Sequence, residues 1–152
     1  MKKQKEPKNP HFKSHAALKK FAGESLTPLL EGLSMAHWDV TLRFGDMSEV
    51  GIDSNLRACA SVQADNGYKC IVITIDAEHM FSIGYCKEKI TGTIEHEILH
   101  AIVSPLYAAK HFLIKNLPAK QHDAAYDLWN HHEEQVIRQL ERTITALRAK
   151  GE

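Results

Sequence analysis

From Ser14 onward, Leu18, Phe21, Ala22, Ser25, Leu29 and Leu33 recur at three- and four-residue steps. That is the spacing of a helix with one face turned to a core, and Ser14 stands where an N-cap belongs. Thr27-Pro28 interrupts the run; proline fits best as the first helical residue after a Thr cap, so a kink or two short helices is expected. The period then changes to two. Trp38, Val40, Leu42 and Phe44 point one way and His37, Asp39, Thr41 and Arg43 the other, as in a half-buried strand. Gly45-Asp46 and Gly51 mark a loop. Asn66-Gly67 between two apolar runs then predicts a hairpin with a two-residue turn. Counted outward from Asp65 facing Tyr68, Val62 meets Ile71, Ala60 meets Ile73 and Ala58 meets Ile75, an apolar face throughout. On the other face Arg57 meets Asp76, and Cys59 falls opposite Thr74, away from Cys70. A one-residue slip would mix the two faces, so this register is well specified.

Beyond Gly84 and Gly92 the pattern is helical again. A helix is expected over about Thr93–Ser104, ended by Pro105, then a short one around Tyr107–Lys115 before Pro118. A long final helix spans roughly Asp123–Ala149, with Trp129, Val136, Leu140, Ile144 and Leu147 along one stripe. The expected fold is therefore α+β: an N-terminal helix, a small twisted antiparallel or mixed sheet with an Asn-Gly hairpin, a motif-bearing helix and a long C-terminal helix.

At 152 residues, 43% apolar and 25% charged, the chain is long enough for one domain with a real core, and a disordered or collagen-like chain is excluded. No apolar stretch approaches the roughly 18 residues of a membrane span. MKKQKEPKNP lacks an apolar segment behind its basic start, which argues against a secretory signal. Cys59, Cys70 and Cys86 form no CxxC pair and do not read as a disulfide framework, so a reducing, cytoplasmic setting is the expectation. Net charge is zero, yet residues 1–20 hold seven lysines against the single acid Glu6. Residues 1–13 read as a basic flexible tail before a single domain over 14–152. A run this short is expected to solubilise, so neither nucleic acid nor membrane is an expected partner.

The chemistry lies in His96-Glu97-Ile98-Leu99-His100, an H-E-x-x-H sequence on the helix from Thr93. Residues four apart share a helical face about 6 Å apart, so two imidazoles can converge on one ion. The intervening Glu97 can reach a water on that ion and act as its general base. Ile94, Ile98, Ala101 and Ile102 form the opposite, anchoring face. Ten histidines raise the background, and residue frequencies give roughly one chance in twenty of an accidental match. A catalytic zinc takes three protein ligands and leaves a position open. Val103 and Leu106 stand where a metzincin would have its Gly and third His, so the third ligand comes from further along. The candidates are Glu133 and Glu134, then His131 and His132, then His122, Asp123 and Asp127. The helical wheel puts Glu133 inside the apolar stripe. His11, His15, His37, His111 and His122 read as isolated, His79 as a loop residue, and His131, His132 or Tyr126 as possible oxyanion donors.

His96–His100 followed about thirty residues later by Glu133-Glu134-Gln135-Val136-Ile137 and Leu140 resembles the small gluzincin-type zinc metallopeptidases. It is particularly similar to short phage and prophage proteins of that type. Trp38, the Asn66-Gly67 hairpin and Glu95–Ala101 match the order of strand, hairpin and motif helix, over about residues 36–147. The resemblance implies a zincin-like fold, one zinc per chain held by His96, His100 and a helical Glu, and Glu97 as general base. It places the recurring acid at Glu134, with Glu133 the alternative. It further implies a peptide or protein substrate, and an extended peptide adding to Lys69–Asp76 as an edge strand. Three other readings stand beside it. One is a SprT-like protease acting on DNA-bound proteins, for which His122-x-x-x-Tyr126 would carry the third ligand. Another is a non-catalytic zinc-binding structural or regulatory phage protein. The last is an accessory protein whose histidines bind nothing.

Overall fold

The computed structural model describes residues 10–47, 59–65 and 67–151. The first nine residues of the basic tail, Gly51, Arg57, Ala58 and Asn66 lie outside the described residues. The chain is α+β, with five α-helices and a three-stranded mixed sheet among the described residues. It divides after Ile98 into two compact units.

In the first unit, helix α1 covers His15–Gly32, and the Ser14 side chain accepts a hydrogen bond from the Ala17 amide at 3.2 Å. Pro28 lies inside α1 and does not end it, so the expected division into two short helices is not what forms. The helix closes where Met35 N–H reaches Leu30 C=O (2.7 Å) and Ser34 N–H reaches Glu31 C=O (3.0 Å), with Ser34 at φ 57°. This paired closure turns the buried Met35 back onto the helix it ends. Ahead of α1, Phe12 is buried with its ring 5.7 Å from that of Phe21.

Strand β1 (Asp39–Phe44) alternates as its sequence does, with Val40, Leu42 and Phe44 the half-buried positions. Strands β2 (Ala60–Asp65) and β3 (Cys70–Ile75) form the hairpin. The strand order is β1-β3-β2, with β1 parallel and β2 antiparallel to β3. Two expectations are corrected. First, Ala60 pairs with Ile75, Val62 with Ile73, Ala64 with Ile71 and Ser61 with Thr74, a register two residues from the one a two-residue turn would set. The cause is Asp65, whose Oδ1 accepts from the Gly67 and Tyr68 amides at 3.0 and 3.2 Å, while Lys69 takes φ 53°. That widens the loop to residues 66–69. A shift of two keeps each side chain on its own face, so Ile71, Ile73 and Ile75 remain the buried row. The expected pairing of Arg57 with Asp76 lies outside the described residues; the Asp76 carboxylate accepts the His79 amide at 2.8 Å and its own N–H reaches Cys59 C=O. Second, β3 is the central strand, paired on both sides, and is not an edge open to a peptide. Its sequence CIVITI shows no alternation, as befits a strand covered on both faces.

Asp76 caps a short helix, α2 (Ala77–Ser82), that replaces the loop expected around His79. Gly84 follows it at φ 77°, a conformation that favours glycine, and Tyr85 N–H closes on Met80 C=O at 3.0 Å. Helix α3 then runs over Lys87–Val103, nearly two turns longer at its start than the sequence pattern indicated. Ile90, Ile94 and Ile98 are fully buried, and with Leu18, Ala22, β3, Met80 and Phe81 they make up the first unit's core.

The second unit begins at Leu99 and comprises the end of α3, helix α4 (Pro105–Lys115), a 3-10 turn (Ala119–Gln121) and helix α5 (His122–Gly151). Pro105 does not just end α3; it opens α4 as its first residue, where its missing N–H costs nothing. Leu99, Ala101, Ile114 and Ile137 are buried here, while Ile102 is exposed. On α5 the covered row is Trp129, Glu133, Ile137, Leu140 and Ile144; Val136 and Leu147, expected in it, are exposed. Lys110 is buried against α5, donating to Asn130 Oδ1 with its ammonium 5.4 Å from the Tyr126 ring centre. No helix among the described residues is long and apolar enough to cross a membrane.

In the first unit the Tyr85 phenol is pushed up to about 12, first by its hydrogen bond with Cys59 and then by burial, against a smaller opposing bond with Thr93. The folded state thus holds this proton more tightly than the unfolded chain, whose phenol titrates near 10. The associated stability is complete below pH 10 and is lost as pH rises from 10 to about 12. Urea unfolding across that window should show the parent losing stability more steeply than Tyr85→Phe.

Candidate metal centre

Helix α3 presents His96 and His100 one turn apart on one face because the opposite face, Ile90, Ile94 and Ile98, is held in the core. Within the second unit, the last turn of α3 meets two adjacent acids of α5. His100 Nδ1 is 2.8 Å from Glu133 Oε1, and His100 Nε2 is 3.1 Å from Glu134 Oε1. One imidazole therefore carries a carboxylate on each nitrogen. The Glu133 side chain is 9% exposed and that of His100 14%, whereas Glu134 is 43% exposed.

The proton count of this arrangement is informative. A neutral imidazole has one N–H. The shorter contact, with the more buried acid, assigns it to Nδ1, which donates to Glu133. Nε2 faces a carboxylate oxygen at 3.1 Å, a contact that either a second ring proton or a cation bound beside it satisfies. Ligand atoms of His96, His100 and Glu134 all lie within 4.8 Å of one another, and these three form a group that could hold a metal ion. Two imidazoles and one carboxylate are a donor set that fits a divalent transition ion. Glu133 fits as the carboxylate that orients a ligating histidine through its other nitrogen.

The sequence-derived candidates are thus distributed as follows. His96, His100 and Glu134 come together, and Glu133, their alternative, bonds to His100 from the other side. Glu97 follows His96 on α3 and is 9% exposed. His131 and His132 are exposed and both bonded to Gln135, at 3.0 and 3.3 Å. Tyr126 hydrogen-bonds with His111 at 3.0 Å, and His122 with Leu117 C=O at 3.0 Å; neither belongs to the group. His79 lies in the first turn of α2, which the Asp76 cap and Gly84 together signal in the sequence. A feature the sequence did not indicate is a cavity of about 270 Å³ whose wall includes Glu133.

The two acids should separate on metal content. Elemental analysis of protein purified without chelator is expected to give about one divalent ion per chain, lost in Glu134→Ala. Glu133→Ala should keep the site but weaken metal affinity about 10–100-fold, the usual cost of removing a ligand's orienting partner. The opposite result would exchange their roles. No protein-family model, curated protein or solved structure matches this chain.

Proposed function

We propose that the protein is a zinc-dependent metallopeptidase of gluzincin type, with His96, His100 and Glu134 as ligands and Glu97 as general base. The observation that carries this reading is His100 held between Glu133 and Glu134, one carboxylate per nitrogen, on a helix whose His96 shares the group. Zinc at such a centre supplies a Lewis acid that polarises a peptide carbonyl and eases the ionisation of water near neutral pH. The chain's own residues do the rest. Glu133 takes the Nδ1 proton of His100 in a hydrogen bond and so fixes which nitrogen is free to ligate. Glu134 adds the anionic donor. Glu97 accepts the proton of the water that attacks the carbonyl, and returns it to the departing amine.

A histidine as third ligand, as in a SprT-like protease, has less support, because the group that forms uses a glutamate and His122 is bonded to Leu117 C=O. Substrate is peptide or protein, and its pairing with β3 is not part of this reading.

The decisive variant is Glu97→Gln, which keeps shape and removes the base. Zinc content should be unchanged while hydrolysis of a mixed peptide substrate falls about 10²–10⁴-fold, the usual contribution of a general base. Hydrolysis at the parent rate would remove Glu97 from this role. Stoichiometric zinc in a parent protein that cuts no peptide would place the chain among non-catalytic zinc proteins.

A further inference from the structure

Helix α4 turns one side to α5, through Lys110 and Asn130, and leaves the other side bare. Lys110 and Ile114 are buried, while Leu106, Phe112 and Leu113 are 55%, 70% and 57% exposed. At about 100° per residue, Leu106, Ala109, Phe112 and Leu113 fall within an arc of about 120°, so these exposed side chains form one apolar face. Ile102 before the helix and Leu117 after it are exposed as well. Such a row reads in sequence as a core stripe, and only its exposure shows that it faces outward. A continuous apolar face of this kind on a helix marks a place of contact.

The charge around this face selects what it meets. From Leu99 to His122 the chain holds no Asp or Glu and three lysines, Lys110, Lys115 and Lys120; acids resume at Asp123. Lys115 stands about 60° beyond Phe112 around the helix, and Lys120 lies in the 3-10 turn that follows; both are exposed. A second copy of this face would bring like charges together at the rim of the contact. A protein partner would need a groove shaped to a convex helical ridge, whereas lipid chains adapt to any apolar ridge. We propose that α4 lies on an anionic membrane surface. Leu106, Phe112 and Leu113 enter the boundary between headgroups and acyl chains, and Lys115 and Lys120 meet the lipid phosphates. Eleven residues make a helix about 16 Å long, with Phe and Leu on one face and lysine at its edge, the make-up of a helix that rests in a membrane interface. Lysine suits that edge because its stem can lie along apolar surface while the ammonium stays in water. Anionic headgroups attract such a cation within about a Debye length. Zero net charge and the lack of a membrane span, which argue against a membrane partner, do not bear on a local face that is apolar and free of acids. This surface needs neither the metal nor peptidase activity.

The test is co-sedimentation of the full chain with vesicles of phosphatidylcholine alone and of phosphatidylcholine and phosphatidylglycerol in equal parts, in about 0.1 M and about 1 M salt. The parent should bind the anionic vesicles at least about tenfold more tightly than the neutral ones, with that difference shrinking at high salt. Phe112→Ser/Leu113→Ser should weaken binding about tenfold or more, because the apolar area that enters the lipid is lost. Lys115→Gln/Lys120→Gln should reduce the preference for anionic lipid. Phe112→Trp keeps an aromatic ring at the centre of the face, and its added fluorescence should be quenched by vesicles of brominated lipid. No binding to anionic vesicles at low salt would overturn the proposal, as would equal binding to both lipids. Parent-like binding by Phe112→Ser/Leu113→Ser would place the contact on another part of the chain and overturn it too. A dimer in sedimentation velocity that this variant abolishes, in a protein that ignores vesicles, would make the face a contact between copies. If the serine variant loses its helical circular dichroism, the quenching of Phe112→Trp decides, and its absence overturns the proposal.

Discussion

A neutral imidazole has two nitrogens and one proton, and the centre is organised by how His100 spends that proton. Glu133 lies on one nitrogen and Glu134 on the other, at 2.8 and 3.1 Å. With Nδ1–H given to the buried acid, the second nitrogen and the second acid face each other as acceptors. Either a further proton or a metal ion resolves that opposition, and His96, one turn back on the same helix, supplies the additional donor a metal needs. Two carboxylates are gathered around this one side chain, an arrangement that a protonated ring or a bound cation balances.

That constraint reaches into the packing of α5. Glu133 occupies a place in the covered row Trp129, Glu133, Ile137 and Leu140, where an aliphatic residue would ordinarily stand. A carboxylate there is tolerable because it accepts a hydrogen bond from His100. Along the same helix Asn130 and Tyr126 serve Lys110, another charged group in a covered place, through an amide oxygen and an aromatic face. Helix α5 thus carries two polar arrangements in covered places, one toward His100 of α3 and one toward Lys110 of α4, and each needs its partner in position.

Much of this was legible in the residues, and the misses have identifiable causes. The spacing of His96 and His100 on an amphipathic helix was readable because the helical period fixes it. The choice between Glu133 and Glu134 was not, since consecutive helical residues point about 100° apart and only the second helix's position decides which nitrogen each can reach. Here both reach, which is why neither burial nor resemblance alone could select one. In the sheet, the alternation gave the faces correctly, but the register depended on one side chain: Asp65 captures two loop amides and moves the pairing by two residues. Resemblance misled where it made β3 an edge. The unbroken run from Cys70 to Ile75 carried the better information, because only a strand covered on both sides can be apolar at successive positions. Helix α2 was missed because six residues give periodicity too little length to register, although its cap and its closing glycine were both present.

The length of α3 follows from the same division of labour. Its isoleucines at 90, 94 and 98 are fully buried in the first unit's core, and its last turn carries His100 in the second unit. His100 follows Ile98 by two residues and so lies on the side of the helix away from that row. There α5 meets it with an adjacent pair of acids, the shortest sequence that can offer a carboxylate to each side of one ring. On this view the Glu-Glu pair is a single device: the buried member sets the ring's tautomer and the more exposed member meets the nitrogen thereby left open.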